Sequence, residues 1–172
     1  NKLVRLPEHL FTCHALIIPG GESSTLLKLM APLNFLDAIK KFYAGGGFIF
    51  GTCAGMILLA KQVLPKQVCL GLLDVKVERN AYGRQIDSKT KTSTKVSSKI
   101  GDKPIDMTLI RAPRIAELGD RVEVLVWDGK TPMLVQQDRI LAASFHPELS
   151  CKNDSYNLRI IKYFSMMINK IA

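Results

Sequence analysis

The chain has 172 residues, the size of one domain with a substantial core. Its 47% hydrophobic and 23% charged residues are those of a soluble globular protein, and no apolar run is long enough to span a membrane. The net charge of +9 raises nucleic acid as a partner, but residues 84–103 hold six basic side chains against two acidic ones, a net four of the nine. That stretch is diluted with Ser and Thr and has no interleaved aromatics. It reads as a solvated loop, not a stacking platform, so neither nucleic acid nor a membrane is expected as a partner.

Residues 1–5 carry a short strand pattern that Pro7 breaks, and Glu8 and His9 stand where a secretion signal would need apolar residues. Ala15-Leu16-Ile17-Ile18 predicts a strand, closed by Pro19-Gly20-Gly21-Glu22-Ser23-Ser24. Two glycines there allow positive φ and close approach of the backbone to a ligand. Ser23 or Ser24 is placed to cap a helix over 25–30. After Ala31-Pro32, Asn34 caps a second helix over 35–43, with Phe35, Leu36, Ile39, Phe42 and Tyr43 on one face. Gly45-Gly46-Gly47 ends it. Phe48-Ile49-Phe50 has strand character, and the apolar run from Met56 to Leu59 suits a buried helix.

Beyond Leu64-Pro65, the alternation over 73–77 predicts a strand with one wet face. Polar residues 79–85 predict a loop, and 86–100 a mobile stretch or peripheral hairpin. A strand over 107–110 ends in Arg111-Ala112-Pro113. Residues 122–127 alternate, and Asp128-Gly129 signals a hairpin turn. Strands over 133–137 and 140–145 flank Asp138-Arg139, and His146-Pro147-Glu148 follows. A last helix over 154–171 sets Leu158, Ile161, Phe164, Met167, Ile168 and Ile171 as a core-facing stripe. Strands alternate with helices in the first half, and hairpins cluster in the second. This predicts one α/β domain over 1–172 with a mixed sheet.

Between the strand and the buried helix lies Gly51-Thr52-Cys53-Ala54-Gly55. This is the form of a nucleophile elbow with Cys in place of Ser. The residues two before and two after the nucleophile must be small, because the strand and helix backbones nearly touch. The turn leaves Cys53 at a helix N-terminus, where backbone N–H groups favour the thiolate. Taken alone, Cys53 is equally well one more buried thiol. A nucleophile needs a base, and the base needs a group to orient it. His146, just past a strand end, and Glu148, two residues on, supply both in the chain order of a hydrolase triad. An oxyanion hole is expected from the N–H of Ala54 and of Gly21. Cys13, Cys53, Cys69 and Cys151 form no CxxC and read as reduced thiols of an intracellular protein, in the cytoplasm or an organelle matrix. His9, His14 and His146 do not cluster, so no metal is expected.

Five strings then occur in order: Pro-Gly-Gly-Glu-Ser-Ser (19–24), Gly-Thr-Cys-Ala-Gly (51–55), Glu-Arg-Asn-Ala-Tyr-Gly-Arg-Gln (78–85), Ile-Arg-Ala-Pro (110–113) and Phe-His-Pro-Glu-Leu (145–149). With them the chain resembles the class I glutamine amidotransferases, and among these the glutaminase subunits of pyridoxal 5′-phosphate synthase. The resemblance covers nearly all of the chain. It implies a three-layer, flavodoxin-like fold with a mixed, mainly parallel sheet and helices on both faces. It implies hydrolysis of L-glutamine to glutamate and ammonia by Cys53, His146 and Glu148. Gly21, Glu22, Ser23, Arg79, Ile110 and Arg111 match the glutamine pocket, and an Arg is a sensible partner for the α-carboxylate. No cofactor is implied, and ammonia passes to a (β/α)₈-barrel synthase subunit. Family members open with a central strand and a Leu-Gln-Gly turn. This chain opens at what reads as their second strand, so roughly 30 residues, one strand–helix unit, are expected to be missing. Two other readings are open: a glutaminase of another complex, such as that of histidine biosynthesis, and a catalytically silent partner-binding module of the same fold.

Overall fold

The computed structural model describes residues 2–82, 89–149 and 158–170. In chain order its first half holds β1 (Ala15–Ile18), α1 (Ser23–Met30), α2 (Phe35–Ala44), β2 (Phe48–Thr52), α3 (Ala54–Leu59), β3 (Ala60–Leu64) and β4 (Leu73–Glu78). The second half holds β5 (Lys89–Thr92), β6 (Lys95–Val96), β7 (Asp106–Leu109), β8 (Arg114–Leu118), β9 (Glu123–Asp128), β10 (Thr131–Gln137), β11 (Ile140–Ala143) and α4 (Leu158–Asn169).

The main sheet has the order β1-β2-β11-β10-β9-β6. Strand β2 is buried along its whole length, which explains its unbroken apolar run. It pairs in parallel with β1 on one side and β11 on the other. Alternate residues of this sheet feed two cores. Leu16, Ile18, Ile49, Ile140 and Ala142 pack with Ile39 of α2 and with Met56, Ile57, Leu58 and Leu59 of α3. Phe48, Phe50, Leu141 and Ala143 pack on the opposite face with Ile160, Phe164 and Met167 of α4. Helices therefore cover both faces, as expected of three layers. A smaller sheet has the order β3-β4-β8, and β5 pairs with β7. Among the described residues no helix is long and apolar enough to cross a membrane.

The sheet is mixed, with its balance further toward antiparallel pairing than a mainly parallel sheet has. Within the main sheet two pairs are parallel and three antiparallel. The reason is local: tight turns at Asp128-Gly129 and Asp138-Arg139, with Gly129 and Asp138 at positive φ, fold β9, β10 and β11 back on one another. The parallel part is the β1-β2-β11 unit that carries the candidate site.

Several local expectations are corrected. Residues 2–5 form no strand, and a 3-10 turn over Pro7–Thr12 follows them. Helix α1 begins at Ser23, and its cap is Glu22, whose carboxylate accepts from the Ser24 N–H at 3.4 Å. Asn34 precedes α2 at φ 52° and makes no side-chain cap bond. The 86–100 stretch is no single hairpin. Strand β5 pairs with β7 and β6 with β9, while residues 83–88 lie outside the described residues. Along α4 the buried stripe is Ile160, Phe164 and Met167, with Leu158 and Ile161 exposed. Phe164 and Met167 face the core and Ile168 packs against it as expected, while Ile160 takes the inward place expected of Ile161. Residues 154–157 and Ile171 lie outside the described part. Strands β3 and β8 carry no sequence signal: β3 follows α3 with no intervening turn and holds the exposed Lys61 and Gln62, and β8 buries a single residue, Ile115.

Small residues at the elbow are enforced by contact. A Cβ on Gly55 would lie 2.1 Å from the Ile18 carbonyl oxygen, and one on Gly51 would lie 2.7 Å from the Gly55 carbonyl carbon. No rotamer change relieves a clash with backbone. Gly55→Ala is expected to lower the unfolding free energy by about 2 kcal/mol or more, as overpacking does. Urea denaturation checks this; a wild-type midpoint would mean that α3 and β1 do not meet as described.

Candidate active site

Cys53 joins β2 to α3 with φ 49° and ψ −103°, a conformation rare for a residue with a side chain. Such a residue stores on the order of 1–3 kcal/mol of strain unless its surroundings hold it. They do so here. The Cys53 N–H donates to the Ala143 carbonyl at 2.8 Å, and its own carbonyl accepts from the Ile57 N–H at 3.2 Å. The thiol is 4% exposed and points toward the Ile110 carbonyl, with Sγ 3.9 Å from that oxygen.

His146 follows β11, and its N–H donates to the Thr108 carbonyl at 2.9 Å. Ring atom Nδ1 lies 2.8 Å from Glu148 Oε1. That leaves Nε2 for the hydrogen bond with Cys53. The ring rests against Gly20, where a Cβ would come within 2.3 Å of Cε1. Any other residue at position 20 would push the imidazole away from the thiol. Hydrogen bonding to Cys53 first, and to Glu148 second, raises the His146 pKa to about 9 against the opposing effect of burial. At neutral pH the ring is therefore an imidazolium and donates at both nitrogens. Burial acts to raise Glu148, but its hydrogen bond from His146 and one from its own backbone outweigh that and hold it below the ordinary carboxylate range.

Cys53 and His146 open into a cavity of about 260 Å³, which is also lined by Gly21, Glu22, Ser23, Arg79, Ile110 and Arg111. These are the six residues expected to hold substrate. Glu148 stands behind His146, outside the cavity. Ala54, fully buried, opens α3, so its N–H is one of the first-turn donors that a helix leaves without an intrahelical partner. Gly21 has φ 138°, a backbone only glycine adopts readily. Glu22 lies between the two arginines, 2.6 Å from Arg79 and 3.2 Å from Arg111. Burial acts to raise its pKa, and Ser24 with the two guanidinium groups more than offsets this, keeping it ionised.

Two lining residues were not anticipated, Ile57 and Asn80. Ile57 reads in sequence only as part of a greasy helix. Asn80 carried one signal, as a residue type tolerant of left-handed backbone next to Arg79; its φ is 54°. A larger, mainly apolar cavity of about 1040 Å³ lies between the Pro7–Thr12 turn and α2 and holds none of the triad. Size alone does not locate the chemistry. Among the described residues no three His, Cys, Asp or Glu side chains gather as a metal site.

The raised His146 pKa has a consequence for stability. The folded state binds this proton more tightly than the unfolded chain, whose pKa is near 6.5. The stabilisation is complete below pH 6.5 and is lost as pH rises toward 9. The urea midpoint is expected to fall between pH 7 and 9.5, and to fall less in His146→Gln. An equal fall in both proteins would assign the titration to another group.

Comparisons with known proteins show the family. The family model for the SNO glutamine amidotransferase family matches residues 1–170. The chain is 44% identical over 170 residues to pyridoxal 5′-phosphate synthase subunit PdxT of Thermosipho africanus, covering 98% of this chain and 86% of that protein. It is 50% identical over 149 residues to the subunit of the same name from Koribacter versatilis, covering 86% and 75%. A crystal structure of a glutamine amidotransferase superposes with a TM-score of 0.85 at 42% identity, over 98% of this chain and 86% of that one. With a family match over nearly its full length and relatives at this identity, the chain belongs to the SNO glutamine amidotransferase family.

Proposed function

We propose that the chain hydrolyses L-glutamine to L-glutamate and ammonia, and that it does so as the glutaminase subunit of a pyridoxal 5′-phosphate synthase. The observation that carries the reading is the strained Cys53 beside an imidazolium that a carboxylate holds at Nδ1. The cavity in front of it is smaller than a drug-sized site, which suits a free amino acid.

With the proton on His146, the Cys53 thiolate attacks the side-chain amide carbon of glutamine. The C=O electron pair moves to oxygen, and the oxyanion is met by the N–H groups of Gly21 and Ala54. His146 delivers its Nε2 proton to the amide nitrogen as the C–N bond breaks. Ammonia leaves, and a glutamyl thioester on Cys53 remains. The neutral imidazole then takes a proton from water, and the hydroxide attacks the thioester. The C–S bond breaks, glutamate departs, and the thiolate–imidazolium pair is restored. Glu148 keeps Nδ1 protonated throughout, so that Nε2 can both give and take the proton. Arg79 and Arg111 meet the substrate α-carboxylate, and Glu22 and Ser23 complete the pocket.

The named relatives are subunits of pyridoxal 5′-phosphate synthase. We carry that assignment over: the ammonia is handed to a (β/α)₈-barrel synthase subunit, in the cytoplasm. Docking also offers a switch. The Gly20-Gly21 peptide can adopt more than one orientation at low cost, and losing one oxyanion donor costs on the order of 100-fold in rate. A partner that fixes this peptide turns the enzyme on only where its ammonia is used.

Glutamate release, measured with and without the barrel synthase at saturating glutamine, tests the reading. The complex is expected to be faster by on the order of 100-fold. Cys53→Ala is expected to abolish release, and His146→Ala to cost roughly tenfold or more beyond Glu148→Ala, because the orienting member of a triad contributes least. Turnover in Cys53→Ala, or equal rates with and without synthase, would overturn the nucleophile or the switch respectively.

A further inference from the structure

Arg111 and Asn80 face each other across an extension of the β4–β8 ladder. The last paired residues are Glu78 and Arg114, whose side chains also form an ion pair at 2.5 Å. Asn80 lies two residues beyond one, and Arg111 three residues before the other. Both have left-handed backbone, φ 54° at Asn80 and φ 48° at Arg111. Asn tolerates that region, whereas Arg does so only under constraint. Strain held at a site lining a pocket points to a role there.

The contacts say which role. Arg111 Nε donates to Asn80 Oδ1 at 3.3 Å, while its terminal NH2 nitrogen lies 3.2 Å from Glu22 Oε2. Glu22 Oε1 is taken by Arg79 at 2.6 Å. The two oxygens of Glu22 are thus divided between two arginines. A guanidinium is planar, with its donors in a fixed fork, so fixing Nε and one terminal nitrogen fixes the plane. Arg79 is the more buried, at 17% side-chain exposure against 44% for Arg111. Arg111 is therefore the cation that an incoming anion reaches first. Glu22 competes with that anion for the terminal nitrogens. Asn80 does not, because it holds the Nε edge.

We propose that Asn80 is a positioning residue for substrate: its side-chain oxygen holds Arg111 by Nε, so that the terminal nitrogens exchange Glu22 for the glutamine α-carboxylate without the guanidinium losing its orientation. This rests on the glutaminase reading above, and it assigns to Asn80 the discrimination for a free α-carboxylate.

The variants are Asn80→Gly and Asn80→Asp, assayed in complex with the synthase against glutamine and against glutaminamide, which carries a carboxamide in place of the α-carboxylate. Glycine accepts φ near +54° more readily than asparagine does, so a purely conformational role predicts wild-type behaviour for Asn80→Gly. We expect instead that Asn80→Gly raises KM for glutamine about five- to tenfold, the worth of one hydrogen bond to a partly exposed group, with kcat within about twofold. Its preference for glutamine over glutaminamide is expected to fall by the same factor. Asn80→Asp keeps the acceptor and is expected to recover most of the loss. In an Arg111→Ala background, Asn80→Gly is expected to add no further loss. A wild-type KM in Asn80→Gly, an equal loss on both substrates, or full additivity with Arg111→Ala would each overturn the proposal. A wild-type complex that releases no glutamate from glutamine would instead overturn the reading on which it rests, and that is settled before any variant is compared.

Discussion

At Gly55 the helix after the nucleophile comes so close to β1 that the Ile18 carbonyl leaves room for a hydrogen and nothing larger. Much of the site's geometry depends on that contact. It brings α3 down onto the β1-β2-β11 unit, and the chain then has no slack in which to turn from β2 into α3. Cys53 takes up the whole reversal in one residue, at φ 49°. Because β1 and β11 both lie parallel to β2, the loops after all three strands emerge at one end of the sheet. Cys53, Gly20-Gly21 and His146 come together there for the reason that ligands gather at the carboxyl ends of strands in open α/β sheets.

Two charge clusters share this small space and do different work. Around Cys53, the imidazolium of His146 and the carboxylate of Glu148 hold a proton ready for transfer. Around Glu22, a single carboxylate spaces two guanidinium groups across the cavity. The first cluster is fixed by short sequence separation along one loop, the second by pairing among three separate loops. The site therefore combines a locally built acid–base unit with an electrostatic clamp that exists only once the chain has folded.

That difference also decides what was legible in the sequence. The elbow was readable because Gly51 and Gly55 answer to backbone contacts that no other residue satisfies. The His146–Glu148 pair was readable because two residues across a Pro leave few ways to arrange them. The role of Glu22 as cap of α1 was not. A serine is the usual choice, and the carboxylate of Glu22 is held beside Ser24 by Arg79 and Arg111, which lie on loops far along the chain. Asn80 was hidden for the same reason, since its partner lies on another loop. In α4 the adjacent Ile160 and Ile161 compete for the core, and packing turns Ile160 inward beside Phe164, whose ring centroid lies 5.5 Å from that of Phe50. The strands within 86–100 chose partners on two different sheets, a decision made by tertiary packing and invisible to local alternation.

Glu22 has two duties at once. Its carboxylate spaces the arginines, and it also accepts from the N–H and hydroxyl of Ser24 in the first turn of α1. Helix α1 runs from there to Met30. The cavity's charge balance and the start of α1 therefore share one side chain, so a change at Glu22 acts on both the pocket and the helix end.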